Sequence, residues 1–321
     1  MTPQARSEPA LRRLYRTAAG LLAACLTALP LTSAAFCPGP VGVQVLGSGG
    51  PIANNSRASS GYLLWMDGHA RLLVDAGGGS FARFGNSNAA ITDLDTIALT
   101  HFHADHSVEL PAYLKSAWFT SRERPLPIIG PSGNKAFPGL SLFMQRLIGK
   151  DSGAFQYLSG YLTGGDGFFK TPLYETDADG REPQEILKTP HFSLYAVGVT
   201  HGPVPALGYL VETGGVRIAF SGDQNGDNPA FGKMITGADL LVMDHAVPED
   251  ADRIAANLHA RPSEIARLAS GAKVKHLLLS HLMPRSERVL EQSLTLISKA
   301  FEGQLTVAQD LMCIELPAEA D

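Results

Sequence analysis

Three cysteines and two tryptophans in 321 residues exclude a small disulfide-knotted scaffold. Charged side chains make up only 18% of the chain. Collagen, heptad and solenoid periods are all absent, which removes the fibrous and repeat architectures. No run reaches the roughly 20 strongly apolar residues that a stable membrane span needs. Net positive charge is lacking too: 26 Lys and Arg face 31 Asp and Glu, for a net charge of −5. Broad polyanion-binding surfaces are usually basic, so this balance argues against a nucleic-acid partner. What the chain does have is apolar content, 45%, which excludes wholesale disorder and suffices for one large domain or two modest ones.

The basic residues are concentrated at the start. Arg6, Arg12, Arg13 and Arg16 precede an uncharged Ala/Leu/Thr run from Thr17 to Leu31, which ends in Ser33, Ala34 and Ala35. A positive start, a short apolar centre and a small-residue cleavage site form an export signal, so residues 1–35 are expected to be a signal peptide. The expected location is periplasmic or secreted, with no transmembrane span after removal. Arg12-Arg13-Leu14-Tyr15 is compatible with twin-arginine export. Leu22-Ala23-Ala24-Cys25 is compatible with a lipoprotein box, which ranks lower because the apolar run before Cys25 is short. Cleavage leaves 22 basic and 30 acidic side chains, and Cys37 and Cys313 as the thiols able to pair. One precedes the first mature strand and the other lies in the last. A disulfide between them and two inert buried thiols are both open readings.

Residues 36–321 read as one α/β domain. Short apolar runs at Val41 to Leu46, Tyr62 to Met66, Ala70 to Val74, Thr96 to Thr100 and Leu126 to Ile129 read as strands. So do those at Phe192 to Val199, Ala206 to Glu212, Val216 to Ser221, Leu240 to Met243, His276 to Ser280 and Leu305 to Leu316. Helical spacing appears at Val108 to Trp118, Pro262 to Ser270 and Glu287 to Phe301. Hairpins followed by strand and helix alternation, twice over, predict two mixed sheets packed face to face with helices outside. Residues 137–190 fit this least and read as an insertion or lid. Their aromatics, Phe155 to Phe169, either shape an apolar pocket or belong to the core.

The chemical signal is His101-Phe102-His103-Ala104-Asp105-His106, directly after a buried strand. Three imidazoles and a carboxylate in six residues form a metal-ligand set. In an extended segment His101 and His103 share a face and one ion, and Asp105 and His106 reach a second. Imidazole with carboxylate suits zinc, and also manganese or iron. His69, His191 and His276 have no such context.

His-x-His-x-Asp-His after a strand resembles the metallo-β-lactamase superfamily, and other stations of that family follow in order. They are Val199-Thr200-His201, Ser221-Gly222-Asp223 and Leu279-Ser280-His281, each at the end of a strand. The resemblance covers roughly residues 41–316. It implies an αββα sandwich holding two Zn²⁺ ions. The first would take His101, His103 and His201, the second Asp105, His106 and His281, and Asp223 would bridge them. Within the superfamily the texture is similar to the ribonuclease Z and zinc phosphodiesterase branch. It is carried by Leu46-Gly47-Ser48-Gly49, Arg57-Ala58-Ser59-Ser60, Pro127-Ile128-Ile129-Gly130-Pro131, Val204-Pro205-Ala206-Leu207-Gly208-Tyr209 and Gly237-Ala238-Asp239-Leu240-Leu241. The resemblance gives His259 the role of proton donor to the leaving group, and gives Asp105 the orienting of an attacking hydroxide shared by the ions.

Two departures matter. That branch carries a His-Glu pair where this chain has Asp244-His245, so the support for His259 falls to one of these two. Its tRNA-clamping arm lies between the stations matching His201 and Asp223, which here stand only 22 positions apart. The expected function is an exported dinuclear zinc hydrolase of phosphodiester type acting on a small-molecule ester. Arylsulfatase, lactonase or β-lactamase-like activity, a ribonuclease Z-like tRNA 3′ endonuclease, and a non-catalytic metal-binding module are the alternatives. A homodimer is left open.

Overall fold

A computed structural model describes residues 37–53 and 56–317. The expected signal peptide, including Cys25, lies outside the described residues. Two seven-stranded mixed sheets form the centre. The first contains β1 (Val41–Gly47), β2 (Gly61–Met66), β3 (His69–Val74), β4 (Thr96–Ala98), β5 (Ile128–Pro131) and β6 (Leu173–Thr176), in that spatial order. The second runs outward from β12 (His276–Ser280) through β11 (Leu240–Asp244), β10 (Val216–Phe220), β9 (Val204–Thr213) and β8 (Ser193–His201) to β7 (Gln184–Lys188).

The strands are apolar on both faces because both faces are covered. Alternation decides which side chain goes where. Val43, Val45, Leu64, Leu72 and Val74 point between the sheets, where they meet Tyr209, Ile218, Phe220, Val242 and Leu278. Leu46, Leu63, Leu73 and Ile97 point outward beneath α3 (Leu110–Ala117) and α4 (Leu140–Ile148). On the other side, Ala219, Leu241, Leu277 and Leu279 lie under α6 (Pro229–Met234), α8 (Pro262–Gly271) and α10 (Leu290–Ser298). Each fully buried Leu or Ile contributes about 1.5–3 kcal/mol through the water it sheds. The result is the expected α/β sandwich of two sheets flanked by helices.

The closing strand expected from Leu305 to Leu316 is in fact two. β13 (Gln304–Val307) lies beside β12 in the second sheet, and β14 (Cys313–Leu316) beside β1 in the first. Between them Leu311 adopts a positive φ of 65°, which no strand accommodates. Asp310 holds the crossing by accepting from the Ser48 and Ala58 backbone amides at 3.1 and 2.8 Å. Residues 137–190, read as an insertion or lid, contain one edge strand of each sheet. β6 pairs with β5 and β7 with β8, so part of this stretch is sandwich framework. Polar and charged residues interrupt those strands, as edge positions allow. Leu158, Tyr161 and Phe169 are buried in the outer core of the first sheet. Of the aromatics in this stretch, Tyr161 and Phe169 belong to the core and Phe168 packs against it, while Phe155 and Tyr157 are exposed.

Cys37 and Cys313 are joined by a disulfide, with Cα atoms 5.4 Å apart and 276 positions apart in sequence. It ties the segment before β1 to β14. Closing so long a loop restricts the unfolded chain, and Cys37→Ser is expected to cost about 2–5 kcal/mol. Denaturant unfolding of wild type and variant measures this, and equal midpoints would contradict it.

Candidate metal centre

Topology brings the site to one edge of the sandwich. β3 and β4 are parallel, as are β10, β11 and β12, while β9 runs antiparallel between β8 and β10. The C-terminal ends of β4, β8, β10, β11 and β12 therefore deliver His101, His201, Asp223, Asp244 and His281. Rigid strand ends are suitable anchors for a ligand set. His103 stands at the N-terminal boundary of a single helical turn, α2 (Ala104–Ser107), which carries Asp105 and His106. Gly222 after β10 has φ 57°, and a Cβ there would come within 2.7 Å of the Leu207 carbonyl oxygen. Only glycine turns the chain here without strain. Gly50 lies against the His281 ring, where a Cβ would be 2.7 Å from Cε1.

All eight residues singled out for metal binding or catalysis come together. His101, His103, His201 and Asp223 place donor atoms within 4.8 Å of one another, as do Asp105, His106 and His281. Asp223, His259 and His281 form a third such group. Asp223 is central, with one carboxylate oxygen 3.3 Å from His281 Nε2 and the other 3.4 Å from His106 Nε2. Asp105 Oδ2 lies 3.1 Å from His281 Nε2 and 3.5 Å from His106 Nε2. Six of the ten histidines in the chain are in this cluster.

Three of the rings are held from behind at Nδ1. Thr100 Oγ1 lies 3.1 Å from His101 Nδ1, and Asp75 Oδ2 lies 2.8 Å from His106 Nδ1. The Leu258 carbonyl accepts from His201 Nδ1 at 2.8 Å. This leaves His101 Nε2, His106 Nε2 and Asp223 Oδ1 buried and without a hydrogen bond. Buried polar atoms are seldom left so. Imidazoles oriented from behind, with bare nitrogens converging on carboxylates, fit divalent cations.

Charge follows the same geometry. Burial holds the His101 imidazole well below its ordinary pKa, and it lowers His201 to about 4. Burial is the largest influence on His106 and His281 as well and opposes their charge, but the carboxylates together outweigh it and hold both above the ordinary value: Asp223 first, with Asp75 at His106 and Asp105 at His281. Asp223 resists its own burial through those two imidazoles and stays well below the usual carboxylate range.

Asp244, and not His245, supports His259: Asp244 Oδ2 is 2.9 Å from His259 Nδ1. His259 is lowered to about 4 by burial. Asp244 is raised well above its ordinary value by burial and then by the charge of Asp223. His245 is fully buried, neither ring nitrogen has a hydrogen-bond partner, and burial lowers its pKa to about 4. As pH falls, the unfolded chain therefore binds this proton first, and stability present above pH 6.5 is lost toward pH 4. The loss is on the order of 3 kcal/mol. His245→Leu should remove about one proton from the pH dependence of unfolding of the metal-free protein in that window. An unchanged slope would contradict this.

The other three histidines are elsewhere. His69 pairs with Asp93 at 2.8 Å, His191 with Asp95 at 2.6 Å, and His276 Nε2 meets Thr306 Oγ1 at 2.9 Å. Sequence reasoning missed Asp75, which also accepts from the Thr100 amide at 2.7 Å and has φ 61°. Its signal was Val74-Asp75-Ala76-Gly77, an acidic residue directly after a buried strand and before glycines.

Comparison with known proteins agrees with this fold. The family model described as the metallo-beta-lactamase superfamily matches residues 55–249, with His259 and His281 beyond it. Ribonuclease Z of Methanosarcina acetivorans is 27% identical over 301 residues, covering 86% of this chain and 98% of its own length. Ribonuclease Z of Mycobacterium bovis is 27% identical over 292 residues, covering 85% and 98%. The crystal structure of human tRNase Z, short form, shares the fold at a TM-score of 0.66 and 23% identity, over 86% of this chain and 99% of that one. With a family match across more than half its length, the chain belongs to the metallo-β-lactamase superfamily.

Proposed function

We propose that this protein is an exported hydrolase that uses two divalent ions, zinc by preference, to cleave phosphodiesters. The observation that carries this is Asp223, which stands between two donor groups. The first group is His101, His103 and His201, and the second is Asp105, His106 and His281. When bound, the ions supply positive charge for the substrate oxygens and acidify water toward a pKa of about 7. Asp105, on α2 in the second group, orients the attacking water by accepting a hydrogen bond from it. The Asp244 carboxyl, raised well above its ordinary value, donates a hydrogen bond to His259 Nδ1, which leaves Nε2–H as a donor. That proton can pass to the departing oxygen while the Asp244 proton moves to Nδ1.

The relatives' name, ribonuclease Z, favours phosphodiesters over sulfate esters, lactones or β-lactams. It also supports a second reading, tRNA 3′ cleavage. Against that second reading, the stretch from His201 to Asp223 is occupied by the β9–β10 hairpin, and the chain is net acidic. Export rests on the pattern of residues 1–35 and on the disulfide, a bond typical of oxidising compartments.

Zinc-loaded protein should be assayed on bis(4-nitrophenyl) phosphate, 4-nitrophenyl sulfate, a lactone, nitrocefin and a precursor tRNA. The phosphodiester should give the highest kcat/KM. Preference for any other member of the panel overturns the reading.

A further inference from the structure

A cavity of about 680 Å³ opens beside His103, bounded by Pro203, Val204, Ile254, Leu258 and the polar pair Arg253 and Asn257. Its size suits a drug-sized molecule. Ile254 and Leu258 come from α7 (Arg253–Leu258), a helix with no buried residue. Ile254 is 74% exposed, a large apolar side chain held in water over the cavity. An isolated exposed Ile needs no explanation, but one lining a cavity with Pro203, Val204 and Leu258 forms a continuous apolar wall.

The cavity is coupled to the metal centre by its construction. The Leu258 carbonyl that orients His201 belongs to this wall, and the neighbouring Asn257 carbonyl accepts from the Gly202 amide at 3.0 Å. Gly202 has φ 55°, and a Cβ there would come within 2.8 Å of Leu258 Cδ2. The missing side chain is what lets α7 close on the strand end that carries His201. His103 is shared by the cavity and the ligand cluster. A group seated in the cavity is therefore adjacent to whatever anion the centre holds, with the Arg253 guanidinium at the rim.

We infer that this cavity is the subsite for an apolar, aryl-sized group of the substrate, so that the preferred substrates are small phosphoesters carrying such a group next to the scissile phosphate. This rests on the phosphoester reading above. The test uses the zinc-loaded protein and two phosphonates that it cannot hydrolyse, phenylphosphonate and methylphosphonate, measured by calorimetric titration. Phenylphosphonate should bind tighter by on the order of tenfold or more, as an apolar pocket discriminates added carbons. In Ile254→Asp the ratio should collapse toward one. Ile254→Ala, which adds no charge, should give an intermediate ratio. Ile254 is largely exposed, so both variants retain the fold. Equal affinities in the unaltered protein, failure of either phosphonate to bind, or a ratio unchanged in Ile254→Asp overturns the subsite. Turnover of bis(4-nitrophenyl) phosphate is recorded on the same samples. Its absence alongside an intact phosphonate ratio counts against the hydrolytic reading alone.

Discussion

Replacing Asp223 with Ala should abolish metal binding at both positions and lower turnover by at least ~10³-fold, because without the ions the pKa of water returns from about 7 to 15.7. No other side chain in the cluster stands between the two donor groups: Asp223 lies within reach of His101 and His201 on one side, at 4.0 and 3.8 Å, and of His106 and His281 on the other. In the metal-free protein the same carboxylate offsets the charge of His106 and His281. Losing it removes the main support for their protonated forms. Both imidazoles should then titrate at lower pH. Atomic absorption on the purified variant, with turnover on the same sample, measures the first effect. Nuclear magnetic resonance of the histidine ring protons in the metal-free protein measures the second. A variant that retains both ions and normal turnover would contradict the bridging role.

Changes at His259 should have a different signature. His259→Ala is expected to keep its metal and lose about 10²–10⁴ in kcat, the usual contribution of a positioned proton donor. Asp244→Asn should do the same to a smaller extent. An amide can still donate to Nδ1 and hold the Nε2–H tautomer, but it has no proton to pass on. The leaving group separates this role from a merely structural one. With a good leaving group such as 4-nitrophenolate the His259→Ala deficit should shrink, and with an alkoxide it should widen. His259 Nδ1 also lies 3.8 Å from Asp223 Oδ2, within reach of the cluster. Loss of metal together with turnover in His259→Ala would make it a ligand and remove the donor role.

The sequence disclosed the site unevenly, and the reasons are physical. His101 to His106 is dense enough that its chemistry is legible locally, and His201, Asp223 and His281 are legible because each follows an apolar run. Asp75 is not, since an aspartate after a strand is also a common turn residue and its role depends on His106, thirty-one positions away. The choice between Asp244 and His245 was likewise undecidable from order alone. Successive side chains at a strand end diverge, and only the register of β11 beside β12 shows that Asp244 turns toward His259 while His245 turns into the core. For the fold, strands apolar on both faces were visible as continuous runs. The edge strands β6 and β7 were not, because an edge tolerates the polar residues that hide it. The split of the closing strand rests on Asp310 reaching Ser48 and Ala58, contacts more than 250 residues away in sequence. The cavity wall on α7 was invisible for a similar reason: Ile254 has no amphipathic pattern around it, and its partners Pro203 and Val204 come from a different hairpin.

The most direct test of the central claim is crystallographic: an anomalous difference map from zinc-soaked protein, recorded above and below the zinc edge. The account requires two peaks, one enclosed by His101, His103, His201 and Asp223, the other by Asp105, His106, His281 and Asp223. A single peak, or two peaks that do not share Asp223, would contradict it.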